Sequence, residues 1–183
     1  MSRNVLFIHG SPSAASRSAL LADAVASLVR EAGLQPQIWS LRDFAAPDLL
    51  YARTTAASVT PFLEAAKKAV AVVLATPVYK ATYTGALKAI VDLVPPEALG
   101  GRPALGIATA RIQAHAGGVD HAFQALFGFF QARPLDTLFV LDGDLQVEAG
   151  KVTLSSSAEA RVQASARSLV AAIEERPAIS ERA

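Results

Sequence analysis

The sequence predicts a single α/β domain, a doubly wound parallel sheet of five strands with helices on both faces. Short runs of apolar residues alternate along the chain with longer segments whose apolar residues recur at helical spacing. The connections between them are short, which favours right-handed β-α-β crossovers and therefore a parallel sheet. The 183 residues suit one domain, since domains typically run to about 100–200 residues. We expect it to span residues 1–176, with residues 177–183 as a disordered tail.

The first β-α unit has the clearest signals. Residues 5–8 are an uninterrupted apolar run that ends shortly before Gly10, as expected of a strand buried on both faces of a sheet. From Ser16 the apolar residues follow a helical period as far as Gly33, a natural C-terminal stop. The segment therefore reads as strand, loop and helix.

The same alternation continues to the end of the chain. Further strands are predicted at residues 38–41, 70–75, 103–109 and 136–141. Further helices are predicted at residues 61–69, 85–94, 117–133 and 157–175. After a turn-prone Asp-Gly-Asp run, residues 147–154 are compatible with a small hairpin around Gly150.

Composition excludes several classes of function. With 52% hydrophobic and 18% charged residues, the chain is too apolar for a disordered segment. Seventeen basic and sixteen acidic residues leave a formal charge of +1, too small for sequence-independent attraction to nucleic acid or an anionic membrane. The absence of cysteine excludes disulfides, thiolate nucleophiles and cysteine-bound metals. The three histidines show no metal-ligand spacing, so no metal is expected.

The hydrophobic runs also bear on location. The run near the N-terminus is shorter than the apolar core of a signal peptide, which has about 7–15 residues. No later run approaches the ~20 apolar residues of a membrane span. We therefore expect a cytoplasmic protein.

Three loops are candidates for a ligand site, because ligands of open parallel sheets bind beyond the carboxyl ends of the strands. The first, GSPSAASRS at residues 10–18, precedes a helix whose free amides and positive dipole favour an anion. Its serines and Arg17 add donors suited to a terminal phosphate, while the glycine patterns of dinucleotide and triphosphate loops are absent. The alternative is that these serines only cap the helix.

The second loop, TPVYKATYTG at residues 76–85, follows the most hydrophobic strand. Its proline, its valine and its two tyrosines can form a flat apolar wall for a planar ring such as an isoalloxazine. Lys80 is suited to hold developing negative charge there, or else is simply solvated. The alternative for the whole segment is an ordinary connection with aromatic packing.

Together with DLLYAR at residues 48–53, ATPVYKATYTGALKAIVDLVP and VDHA, these loops resemble the NAD(P)H-dependent FMN reductases. The resemblance extends from about residue 5 to residue 146 and is greatest to the branch that serves sulfonate-assimilating monooxygenases. It implies a flavodoxin-like fold, with FMN and NADPH or NADH as cofactors. It further implies a homodimer or homotetramer that passes reduced flavin to an FMNH2-dependent monooxygenase, with no catalytic side chain required.

The resemblance also assigns binding residues. The residues implied at the FMN phosphate are Ser11, Ser16, Arg17 and Ser18. Those implied along the isoalloxazine are Pro77, Val78, Tyr79 and Lys80, with Tyr83 and Thr84 close by. The third loop of the family usually carries a glycine pair, and here Ala110 and Arg111 occupy that place as further cofactor-binding candidates. His121 lies where this branch has a π-type bulge in a helix at the subunit interface.

Two rival functions and one specificity question stay open. One rival is an FMN-containing quinone or azo reductase of the same fold, and the other is a flavodoxin-type electron carrier. The near-neutral charge argues against a carrier, because such carriers tend to be strongly acidic. NADPH cannot be distinguished from NADH, and Arg53, Arg102 and Arg111 are the candidates for contact with a 2′-phosphate.

Overall fold

Five parallel strand positions form the central sheet of the computed structural model, which describes residues 3–148 and 151–175. The strands are β1 Asn4–His9, β2 Gln35–Ser40, β3 Ala71–Pro77, β4 Pro103–Ala110, β5 Arg133–Pro134 and β6 Leu138–Leu141. β5 and β6 both pair with β4, at its beginning and at its end, and so share the fifth position. The order is therefore 2-1-3-4-5, that of flavodoxin-like sheets, and the predicted parallel sheet is confirmed.

Helices cover both faces of this sheet, as predicted. They are α1 Arg17–Glu31, α2 Ala46–Leu50, α3 Thr60–Lys68, α4 Gly85–Val91, α5 Ala116–Phe129 and α6 Ser156–Glu174. The predicted hairpin is also present as β7 Leu145–Glu148 and β8 Lys151–Leu154, which pair antiparallel. Its turn around Gly150 and the predicted tail, residues 177–183, lie outside the described residues.

Alternation along β1 divides the apolar core into two layers. Leu6 and Ile8 pack on the side of α3, α4 and α5. Val5 and Phe7 pack on the opposite side, against α1 and α6. Because successive strand residues face opposite sides, His9 at the end of β1 belongs with Val5 and Phe7 on the α1 side.

Local sequence explains where several elements begin and end. Ser16, Thr84 and Ser155 are the N-caps of α1, α4 and α6, and each side chain accepts a backbone N–H of the first turn. Gly33 has a φ of +79° just after α1, a conformation that glycine adopts without strain. Pro36 lies in β2, where an edge strand tolerates a residue that has no amide hydrogen.

The chain departs from the predicted boundaries around α5. The helix ends at Phe129 instead of residue 133, because Gln131 adopts a φ of +52° and Arg133 already lies in β5. Nothing in the sequence marks Gln131 for this conformation, which more often calls for glycine. His121 lies in regular α-helix and not in a π-type bulge, since α5 is α-helical throughout. The short helix α2 was not predicted.

Among the described residues, no helix combines the length and the hydropathy that crossing a membrane requires.

Candidate functional site

The three candidate loops meet at the carboxyl ends of β1, β3 and β4. The amide of Gly10 donates to the carbonyl of Ala75 at 2.8 Å, and the amide of Val78 donates to the carbonyl of Thr109 at 2.8 Å. These bonds join the first loop to β3 and the second loop to β4. The site therefore lies at the point where the strand order reverses, between β1 and β3, as ligand sites of such sheets do.

Three serines of the first loop are buried around the start of α1. The hydroxyl oxygens of Ser16 and Ser18 are 2.9 Å apart, and Ser16 Oγ accepts the amide of Ala19 at 3.3 Å. Ser11 Oγ accepts the amide of Ser13 at 3.2 Å. Ser16 therefore does cap the helix, as the structural alternative requires. A cap alone gives no reason for the burial of Ser11 and Ser18, which bring two more hydroxyls to the same place.

The electrostatics of this helix end favour an anion. The first turn of α1 contains no acidic residue, although acids are the residues that a helix dipole stabilises there. Instead Arg17 occupies the first helical position, where a cation is repelled by the dipole. Within the described residues, the amides of Arg17 and Ser18 have no protein acceptor. A bound phosphate group would be attracted both by Arg17 and by the positive end of the helix dipole, and it would accept the free amides. The donors present therefore fit the terminal phosphate of FMN.

The second loop contains a tight turn, residues 79–82, which we call the 79–82 turn. Tyr79 and Thr82 exchange two backbone hydrogen bonds, of 3.0 and 3.3 Å. The central residues Lys80 and Ala81 have φ values of +52° and +70°, which is the pattern of a type I′ turn. Such turns prefer Asn-Gly, so two residues that are not glycine are held here under strain.

The hydrogen bonds around the 79–82 turn determine which of its amides are free to bind a ligand. The amide of Val78 is used by β4 and those of Tyr79 and Thr82 are used within the turn. The amides of Lys80 and Ala81 have no acceptor in the described part of the chain. Within the 79–82 turn, these two amides are therefore the donors that can be directed at the oxygens and nitrogens of a ring.

A buried chain of hydrogen bonds connects the first and second loops. The hydroxyl of Thr84 donates to the carbonyl of Gly10 and accepts the amide of Leu87 at 3.0 Å. The amide of Thr84 donates in turn to the hydroxyl oxygen of Thr76 at 3.0 Å. Gly10 is necessary here, because a Cβ on it would lie 2.3 Å from the Cβ of Leu87. The first loop and the second loop thus form one unit.

Thr76 is a site residue that sequence reasoning did not assign, whereas the resemblance placed Thr84 close to the ring without giving it a role. A signal for Thr84 was available, since a threonine directly before Gly85 and the apolar period of α4 is a typical N-cap. No comparable signal exists for Thr76, whose role depends on a contact across eight residues.

The remaining predicted residues divide into exposed and packed groups. Tyr79 and Lys80 are exposed, whereas Pro77 and Val78 are half-buried at the end of β3. The Tyr83 ring packs 6.0 Å from the Phe123 ring of α5, so part of it belongs to the core. In the third loop, Ala110 is the buried last residue of β4 and Arg111 is exposed beside it.

The three arginine candidates for a 2′-phosphate have different surroundings. Arg102 precedes β4 at the opposite edge of the sheet, where it donates to the carbonyls at the C-terminal end of α3. It is therefore not a candidate. Arg53 lies 3.5 Å from Asp48 and 5.2 Å from the centre of the Tyr51 ring. Arg111 is at the site edge and, within the described chain, has no carboxylate partner.

A buried histidine next to an exposed carboxylate lies just beneath the first loop. His9 Nε2 is 3.6 Å from Asp23 Oδ1 of α1 and has no hydrogen-bond partner among the described residues. Burial lowers the pKa of His9, and the nearby carboxylates of Asp23 and Asp43 only partly offset this. Burial also raises the pKa of Asp23. His9 is therefore expected to be neutral when the protein is folded at neutral pH.

Comparison with known proteins finds flavin reductases that are similar in sequence and in fold. The family model described as NADPH-dependent FMN reductase matches residues 3–146. An FMN reductase (NADPH) of Escherichia coli K12 is 37% identical over 131 residues, which are 72% of this chain and 69% of that protein. One of Pseudomonas putida KT2440 is 34% identical over 176 residues, 94% of this chain and 89% of that protein. The structure of an NADH:FMN oxidoreductase in its apo form superposes with a TM-score of 0.84 at 26% identity, covering 95% and 91% of the two chains.

Proposed function

The chain belongs to the NADPH-dependent FMN reductase family, and from this premise we propose where it binds its flavin and where the reduced flavin goes. It is an NAD(P)H:FMN oxidoreductase that uses FMN and a reduced nicotinamide nucleotide. We propose that the FMN phosphate binds among Ser11, Ser16, Arg17 and Ser18, and that the ring lies along residues 77–80. The observation that carries the assignment is the start of α1, where buried hydroxyls, free amides and a cation converge with no acid present.

The protein's contribution to the reaction is binding and orientation. FMN, when bound, supplies the hydride-accepting chemistry, so no side-chain acid or base is required. The serines and the α1 dipole hold the phosphate end. The amides of Lys80 and Ala81, with the Lys80 ammonium, stabilise negative charge at the ring end. The Thr84 bond to Gly10 fixes the distance between the two ends.

We further propose that FMN exchanges with solvent and that reduced flavin is handed to a partner monooxygenase. Two features support exchange: Tyr79 is 49% exposed, and Lys80 and Arg111 are also exposed at the edge of the site. The resemblance of DLLYAR and of the second loop to the sulfonate-assimilating branch supports a monooxygenase of sulfur metabolism as the recipient.

A homodimer or homotetramer is also proposed. Two aromatic residues of α5, Phe123 and Phe127, are fully buried and pack in the core. Phe129 on the same helix is 65% exposed, and this exposed aromatic side chain supports a contact between α5 and another subunit. Light scattering of the wild-type protein and of Phe129→Ser tests this, and a wild-type monomer at all concentrations would contradict it.

The flavin assignment is tested by titrating FMN and riboflavin separately, following flavin fluorescence. Because the two ligands differ only by the phosphate, the double substitution Ser16→Ala and Ser18→Ala should weaken FMN binding at least tenfold, as expected from about 1.5 kcal/mol per charge-assisted bond. Riboflavin binding should barely change. Ser168→Ala, on an exposed position of α6, is the control. Equal loss for both flavins would contradict the phosphate assignment.

Steady-state kinetics separate the proposed role from its rivals. With FMN as the varied substrate, saturation and release of reduced flavin into solution support the reductase. Activity only toward quinones or azo compounds, with FMN permanently bound, would indicate the first rival. Failure to oxidise either NADPH or NADH in the presence of FMN would indicate an electron carrier.

A further inference from the structure

Gly118, the third residue of α5, makes a close contact with the 79–82 turn. A Cβ built on Gly118 would lie 2.9 Å from the carbonyl oxygen of Ala81, nearer than real Cβ atoms approach such an atom. The obstructing atom belongs to the backbone, so it cannot be moved by rotating a side chain. Any side chain at this position therefore has to displace either α5 or the turn.

The turn is the partner that would move. α5 is anchored directly after Gly118, because Val119 and Phe123 are fully buried in the core. Lys80 and Ala81, by contrast, are both exposed, and they hold positive φ angles that their side chains disfavour. A displaced Ala81 carbonyl would rotate the adjacent peptides, and with them the two uncommitted amides of the turn.

We propose that Gly118 is a positioning residue for the flavin ring. Because it carries no side chain, α5 can lie directly against the Ala81 carbonyl, and this contact fixes the position of the Lys80 and Ala81 amides. The inference rests on the proposed function, in which these amides face the isoalloxazine. It adds a residue of α5 that acts on the ring-binding amides through its contact with the 79–82 turn. The contact with α5 thus helps to hold Lys80 and Ala81 in their strained conformation from outside the turn.

Gly117 provides a matched control, because a Cβ on it would meet nothing within 4 Å. Gly117→Ala and Gly118→Ala make the same change at neighbouring positions of one helix and gain the same helix propensity. Only Gly118→Ala pushes on the turn. Both positions are exposed, so both variants are expected to fold, which circular dichroism and thermal melting verify.

The test measures the dissociation constants of FMN and riboflavin for the wild-type protein and both variants. Gly118→Ala should weaken both flavins by the same factor, about tenfold, which corresponds to roughly one to two misplaced hydrogen bonds. Gly117→Ala should leave both within about twofold, the scatter of a surface substitution. Hydrogen exchange gives an independent readout: the amide of Thr82 should exchange faster in Gly118→Ala alone. This readout needs no ligand.

Equal behaviour of the two variants toward both flavins would overturn the inference and leave the proposed function standing. A loss confined to FMN would also overturn it, because the effect would then lie at the phosphate end. If the wild-type protein bound neither flavin, the proposed function would fail, and the inference with it. Loss of both affinities with unchanged melting temperature is the result that a merely structural role would not produce.

Discussion

The hydrogen bond from Thr84 to Gly10 should contribute more to the stability of the folded protein than an ordinary helix cap does. Thr84→Val keeps the shape of the side chain but removes the hydroxyl that donates to the Gly10 carbonyl and accepts the Leu87 amide. Losing an N-cap costs about 1 kcal/mol. Leaving a buried carbonyl unpaired costs about 1–3 kcal/mol more. We therefore expect the free energy of unfolding to fall by about 2–4 kcal/mol.

Urea denaturation followed by circular dichroism measures this loss directly, and the melting temperature should fall by about 5–15 °C for a chain of this size. The affinity for FMN should fall as well, since the variant uncouples the two loops. Ser155→Ala is the control, because Ser155 caps α6 away from the site, and it should cost only about 1 kcal/mol. A Thr84→Val variant no less stable than Ser155→Ala would refute the proposed link between the loops.

Three other predictions concern stability. Because burial lowers the pKa of His9 below its usual 6.5, the unfolded chain binds more protons, so stability should fall as the pH drops below about 6.5. His9→Gln should flatten this fall in urea titrations at pH 7.5 and 5.5. Arg102→Ala should cost about 2 kcal/mol through its bonds to the end of α3 and leave the NADPH to NADH preference unchanged in kinetic assays. Gly106→Ala would place a Cβ 2.5 Å from the Phe123 ring and should cost about 1–3 kcal/mol in thermal melts.

Each of these has a result that would contradict it. A His9→Gln variant with the wild-type pH profile would show that the pair with Asp23 does not titrate in this range. A change of nucleotide preference in Arg102→Ala would contradict its position at the far edge of the sheet. Gly143→Ala, where a Cβ meets nothing within 4 Å, should be neutral, and an equal loss there would remove the packing argument for Gly106.

The fold was largely predictable because its signals are local. Apolar runs mark the buried strands, and Ser16 and Gly33 mark the ends of α1 by chemistry that acts within a few residues. The end of α5 was not predictable, because the positive φ of Gln131 occurs in a turn held by backbone hydrogen bonds and not through the residue's own preference.

The candidate site was also predictable only where its signals are local in the sequence. The first loop could be proposed as an anion site from its serines, its arginine and its place before a helix. The roles of Thr76 and Gly118 could not, since each depends on a contact with another loop that the spacing of residues does not encode. Arg102 could have been excluded as a nucleotide contact, because it directly precedes the strand predicted at residues 103–109, whereas ligands bind beyond the carboxyl ends of strands.

Both borders of the central sheet are poor templates for a further strand. On one side, β2 carries Pro36, which has no amide hydrogen to offer a neighbouring molecule. On the other side, the fifth position is split into pieces of two and four residues, and the shorter piece contains Pro134. An incoming chain would find no long row of free donors and acceptors on either border, which should keep the folded protein from joining into fibrillar aggregates even at high concentration.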